Sequence, residues 1–244
     1  MKTFVLIVAA ALTLTASYAS AEGVNLSWND CGVAGSQNQT FACNSNSGVS
    51  FPVIASFIPP VGVDEFLGIA SQIDIFTDQA TLPDWWKHGT GQCRGSVGLA
   101  ISFDFTSGPF ACVDFYVGQA AGGYAYDVGF GTPSRARLRI QAAVPVTNRG
   151  PVDPGAEYFA YKVNLLRGKT TGAGLCAGCA NSACIVLNDV QLFQPLEAQN
   201  DPQIVNPANR NFATWQLPSG GPAGCPLSTP TRNATWGTVK SLYR

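Results

Sequence analysis

The chain has one histidine, His88, and one methionine, Met1, in 244 residues. A single histidine excludes an HExxH zinc site outright, and any Ser-His-Asp or Cys-His relay would have to run through His88. Neither a GxSxG nucleophile turn nor a GxxxxGK[ST] phosphate loop occurs. Charge is scarce too. Charged residues are 12% of the chain and the formal net charge is -1, so the basic excess of a nucleic-acid binder is missing. Past residue 21, no apolar stretch reaches the roughly 20 residues of a membrane-spanning helix. No amphipathic helical pattern of ordinary length separates the apolar runs, which argues against βαβ units.

What the chain does have is glycine (26), proline (16), cysteine (8) and a hydrophobic share of 46%. The N-terminus reads MKTFVLIVAAALTLTASYASAEG. Lys2 supplies a positive start, residues 4–14 an apolar segment, and Ala19-Ser20-Ala21 an A-x-A cleavage site. This is the pattern of a secretory signal peptide over 1–21, with the mature chain starting at Glu22. A secreted or extracellular location follows, the periplasm and cell surface included.

All eight cysteines (Cys31, Cys43, Cys93, Cys112, Cys176, Cys179, Cys184 and Cys225) lie beyond that site. An even count in an exported chain reads as disulfides. Local pairing suggests Cys31 with Cys43 and Cys93 with Cys112, leaving the cluster in CAGCANSAC to share Cys225. Cys176-x-x-Cys179 is also half of a zinc pattern, but no second C-x-x-C completes it. A thioredoxin-like centre needs the motif at a helix start, whereas here it precedes the strand-like CIVLNDVQLF. The disulfide reading prevails, with no metal and no cofactor assigned.

Short runs rich in β-branched and aromatic residues recur between turn signals, at 24–28, 49–58, 66–77, 96–105, 111–117, 135–146, 158–166, 185–193 and 212–216. In 66–77, Ile69, Ser71, Ile73 and Ile75 share one face, with Gln72 and Asp74 on the other. TSGP between 96–105 and 111–117 suggests a hairpin. The expected fold is an all-β antiparallel sandwich, jelly-roll or Ig-like, forming one domain over 22–244. A short C-terminal helix from Thr235 to Arg244 would place Trp236, Val239 and Tyr243 on one side.

Two features suggest binding. Trp85-Trp86, exposed on a loop, could stack on sugar rings, although buried tryptophans at the end of the core explain them equally simply. Arg135, Arg137 and Arg139 alternate with Ala136, Leu138 and Ile140. They would line one sheet face as a stripe for an acidic glycan, or as a solvated, charge-guarded edge. Asp74, Asp104 and Asp114 sit in strand-like runs and could supply the carboxylate pair of a glycoside hydrolase; strand alternation explains them without chemistry. Asn-rich loops could offer oxygens to calcium, but no EF-hand-like spacing is present. Asn25, Asn38 and Asn233 begin N-x-S/T sequons.

The stretches VNLSWNDCG, EYFAYKVNLL, GLCAGCANSACIVLNDVQL, RNFATWQ and TPTRNATWGTVKSLYR resemble an uncharacterised family of secreted, cysteine-containing bacterial proteins. That resemblance implies export and carries no site residues. The sequence therefore points to an exported, non-catalytic β-sandwich acting in adhesion, surface assembly or glycan binding, with an extracellular glycan or another surface protein as partner. A secreted glycoside hydrolase using sheet-face aspartates is the alternative. A filament subunit, with 24–28 as its unpaired edge or donated strand, is a third reading.

Overall fold

The computed structural model describes residues 22–106, 112–198, 200–217 and Cys225. Among these residues, eleven strands run in the order β1 (Gly23–Trp28), β2 (Asn38–Gln39), β3 (Phe51–Ile58), β4 (Gly68–Thr77), β5 (Leu99–Ser102), β6 (Ala121–Val128), β7 (Arg135–Ala143), β8 (Tyr158–Leu165), β9 (Ala183–Phe193), β10 (Gln203–Ile204) and β11 (Phe212–Trp215). They form two sheets. The smaller has the order β1-β3-β8-β5. The larger has the order β2-β11-β9-β4-β7-β6, with β10 paired to β9. Every strand pair is antiparallel except β2 with β11. The chain is thus an antiparallel β-sandwich, as the turn-rich, helix-poor sequence predicts.

One core joins the inner faces. β1 contributes Val24, Leu26 and Trp28, β4 contributes Ile69, Ile73 and Ile75, and β7 contributes Ala136, Leu138 and Ile140. The period-2 alternation of 66–77 and 135–146 therefore reads the inner face correctly. Ser71, the polar residue in that inward set, is satisfied by the Tyr161 hydroxyl at 2.6 Å and the Asp189 carbonyl at 2.8 Å.

Several boundaries differ from the sequence reading. Residues 112–120 hold turns, not a strand; the Asp114 carboxylate accepts the Tyr116 and Gly118 backbone N–H groups and curls the chain. The strand expected over 96–105 shrinks to Leu99–Ser102. β6 replaces the missing strand, although AGGYAYDV has low β-propensity: it forms by pairing in continuous register with β7. Residues 107–111, from the expected hairpin, lie outside the described residues, as do the signal segment 1–21, the terminal helix and Asn233.

The disulfides are Cys31–Cys112, Cys43–Cys179, Cys93–Cys176 and Cys184–Cys225, with no free cysteine among the described residues. The local pairings Cys31–Cys43 and Cys93–Cys112 are corrected. In a sandwich, chain neighbours diverge to different sheets and loops, so proximity along the sequence does not measure proximity in space. Cys176 and Cys179 hold two separate loops to one Gly-rich turn across 83 and 136 residues of chain. Cys225 does pair with the cluster, through Cys184, but no disulfide closes within the cluster itself, since Cys176 and Cys179 pair with Cys93 and Cys43. The Asn-rich loop is a clamp as well: the Asn46 side-chain oxygen accepts the N–H groups of Thr170 and Thr171 at 2.7 and 2.8 Å.

Four disulfides favour an extracellular or other oxidising compartment. Among the described residues, no helix is long and apolar enough to cross a membrane.

Candidate functional site

The sequence-derived site residues separate on folding. Trp85 and Trp86 lie in a one-turn 3-10 helix, Asp84–Trp86, and both are 0% exposed. Their rings pack on Trp215, at centroid distances of 4.7 and 5.6 Å. They offer no platform to a ligand, and the reading as an exposed pair is corrected. A helical turn lets adjacent tryptophans both point inward, which an extended segment would forbid. Arg94, also 0% exposed, lies 3.8 Å above the Trp85 ring and donates to the carbonyls of Gly168, Trp85 and Leu166.

His88 is 1% exposed beside Trp86 and Tyr126, and neither ring nitrogen has a hydrogen-bond partner among the described residues. Burial, helped by the nearby Arg94 charge, pulls its pKa down to about 3. It is a neutral core residue and serves no relay.

The three arginines do share the outer face of the larger sheet, but they do not form a free cationic stripe. Arg135 and Arg137 both donate to Asp74, Arg137 through two bonds of 2.7 and 2.8 Å. Asn188 adds a third partner at 2.6 Å. Burial alone would raise the Asp74 pKa; the hydrogen bonds from Arg137, Arg135 and Asn188 outweigh it and hold the carboxyl below its usual range. A carboxylate so held stays ionised and cannot act as a general acid. Arg139 pairs with Asp127 at 2.8 Å and remains 57% exposed.

Asp104 and Asp114 lie on the opposite side of the molecule, where their charges act on buried Lys162. Each caps a turn, Asp104 by accepting the Thr106 N–H at 2.7 Å. The three aspartates therefore form no common carboxylate pair. Among the described residues, the group with metal-ligand proximity is Asp30, Cys31 and Cys112, and its two sulfurs are spent in a disulfide.

The geometry brings together a different set. Where β9 crosses β4, the register shifts between Gln72 and Ile73: Gln72 faces Asp189, Ile73 faces Leu187, and Asn188 is the extra residue of a bulge. The bulge turns two consecutive side chains to the outer face. Asn188 reaches Asp74, while the Asp189 carboxylate accepts amide N–H groups from Gln72 at 3.1 Å and Gln203 at 2.8 Å. Burial raises the Asp189 pKa, and the Gln203 and Gln72 bonds offset it only in part.

From here a polar row crosses five strands: Gln203 faces Gln191, Gln191 faces Ala70, Ala70 faces Gln141 and Gln141 faces Gly123. The next row runs Asp189, Gln72, Arg139, Ala125. Small residues make the floor. A trough of about 210 Å³ is lined by Gln72, Arg139, Gln141, Asp189, Gln191 and Gln203. It adjoins a second of about 510 Å³, floored by Gly68, Ala121, Gly123 and Ala143 and closed by Phe193. Gln141 borders both. Side-chain amides over a small-residue floor can donate and accept along an extended, uncharged ligand.

Of the residues proposed from sequence, only Arg139 lines this trough. Gln72 was readable as outward-facing from alternation. Gln141, Asp189, Gln191 and Gln203 carry no local signal, because the rows exist only once five strands are in register.

The outer edge of β1 is not open. Val24, Leu26 and Trp28 donate backbone N–H groups to Asn206, Arg210 and Ser36, and Ala208 donates to Val24. The reading of 24–28 as an unpaired strand edge is therefore corrected.

No protein-family model matches the chain, and no curated protein matches it. Among solved structures it is similar to a cohesin module of a Clostridium perfringens family 33 glycoside hydrolase, at 8% identity over 80% of this chain and 93% of that one, with a TM-score of 0.35. It is similar also to the sixth cohesin of Acetivibrio cellulolyticus scaffoldin B, solved in complex with a Cel5 dockerin mutant, at 6% identity over 81% of this chain and 99% of that one, with a TM-score of 0.34. At these identities and TM-scores the likenesses carry no argument about this chain.

Proposed function

We propose that the chain is an exported, non-catalytic binding module that holds an uncharged, hydroxyl-rich oligosaccharide segment in the trough on the outer face of its larger sheet. The observation that carries this reading is the bulge at Asn188, which aims Asp189 into a row of glutamine amides over alanine and glycine. A sugar hydroxyl both donates and accepts. Gln141, Gln191 and Gln203 can answer both roles, while the Asp189 carboxylate orients Gln72 and Gln203. Phe193 supplies an apolar wall at one end. The nearest carboxylates are engaged, Asp74 by two arginines and Asp189 by two amides, which favours holding a glycan over cleaving it.

The test is a glycan-array and insoluble-polysaccharide pull-down with the oxidised protein, beside Gln141→Ala and Asp189→Ala variants checked for unchanged melting. Retention on a neutral polysaccharide should fall about tenfold or more in each variant, the equivalent of losing one or two hydrogen bonds. It should barely change with salt, because ion pairing contributes little. The bound glycan should be recovered intact. Binding that survives both substitutions, or that vanishes in moderate salt, overturns the reading.

A further inference from the structure

Among the described residues, the larger sheet ends in a strand with an open side. β6 spans eight residues and pairs with β7 alone; along its other side no backbone group of residues 121–128 is hydrogen-bonded among the described residues. The remaining edges are covered or short. β1 is bonded by residues 206–210 and Ser36, β2 has two residues and β5 has four. Exposed edges are usually blunted by lysine, proline or a bulge. Residues 121–126, AGGYAY, have no charge, no proline and no register shift against β7.

We propose that the chain self-associates by antiparallel pairing of β6 with β6 of a second copy, about a two-fold axis at Gly123. The hydrogen-bond pattern selects that register. The Gly129 N–H bonds the Arg135 carbonyl at 2.8 Å. Alternation along an antiparallel ladder then turns the backbone groups of Ala121, Gly123 and Ala125 toward β7, and those of Gly122 and Tyr124 outward. Pairing about Gly123 sets Gly122 of each copy opposite Tyr124 of the other, so outward groups meet outward groups.

A two-fold axis at Tyr124 would instead need the outward groups of Tyr126, and its carbonyl lies 3.5 Å from where a Cβ on Gly89 would sit, so that end of the strand has less room. Ala121 faces Ala125 across the pair and Gly123 faces itself, so no like charges meet. The Tyr124 hydroxyl donates to the Leu99 carbonyl at 3.2 Å and steadies the strand from its inner face. The axis lies perpendicular to the sheet, so both outer faces stay on one side. Two seven-stranded sheets become one, and the troughs floored by Ala121 and Gly123 become continuous. The proposal does not depend on what the trough binds.

Sedimentation of the purified, oxidised chain over a concentration series tests it, alongside amide hydrogen exchange. The expected result is a concentration-dependent dimer with exchange slowed at Gly122 and Tyr124. Ala121→Lys combined with Ala125→Lys places lysine opposite lysine and should weaken association about tenfold or more, roughly 1.4 kcal/mol. Ala121→Lys combined with Ala125→Glu places opposite charges across the axis and should restore it. Both pairs of substitutions fall on exposed outward positions, and melting curves verify the fold. A chain that stays monomeric at its highest soluble concentration overturns the proposal, including the case in which the edge instead takes a strand from a different protein. Association that is indifferent to both double variants also overturns it.

Discussion

His88 shows how burial, with a nearby positive charge, turns a reactive side chain into a structural one. Its two ring nitrogens and the indole N–H groups of Trp85 and Trp86 are all buried without partners among the described residues. The neutral imidazole tolerates this; the cation does not. Its pKa of about 3 lies below the ordinary 6.5 of the unfolded chain, so on acidification the unfolded state takes up the proton first. Stability from this residue is complete above about pH 6.5 and declines as the pH falls toward about 3, by on the order of 4 kcal/mol. A His88→Phe variant should lose most of that decline, measured as urea midpoints between pH 7 and pH 4. An unchanged pH profile would assign the acid sensitivity elsewhere. The sequence singled out His88 because histidine is rare here, but rarity says nothing of exposure.

The bulge in β9 makes a prediction at the scale of the element. With Asn188 removed, Leu187 still faces Ile73 and Asp189 still faces Gln72. Deleting Asn188 should therefore keep the fold while flattening the sheet locally and removing one hydrogen bond from Asp74. A stability loss of about 1 kcal/mol is expected, with glycan retention falling further than that loss explains. Collapse of the fold on deletion would show that the bulge is needed for β9 to pair.

Strand alternation made β4 and β7 legible in the sequence, inward and outward faces alike, because their inner positions are apolar save for Ser71. β6 was not legible. Its Ala-Gly-Gly start has little intrinsic preference for a strand, and pairing with β7 alone supplies the order. The same weakness of signal hid the open edge. Conversely, residues 111–117 look like a strand by composition, yet Asp114 caps a turn there.

Across the molecule, the covalent links tie loops to loops. Cys43–Cys179 and Cys93–Cys176 converge on one turn, so a double replacement such as Cys93→Ser with Cys176→Ser should be felt at that end of the sandwich. Closing a loop of this length restricts the unfolded chain by about 4 kcal/mol in the loop-entropy model. A melting transition lowered by that order is expected, with the β4–β7 ladder still protected in hydrogen exchange. Cooperative loss of that ladder along with the loops would show that the staple supports the whole sandwich.

By itself the sequence determined the class of the fold, the oxidation of its cysteines, and which residues of the long strands face inward. These follow from composition and from a period of two, both local properties. Only the tertiary structure decided which cysteines pair, that Trp85 and Trp86 are core, that Asp74 consumes two arginines, and that Gln72, Gln141, Asp189, Gln191 and Gln203 share one face. Each of these depends on the register between strands far apart in the chain, and a one-residue shift such as the bulge at Asn188 changes it without leaving a mark in local composition.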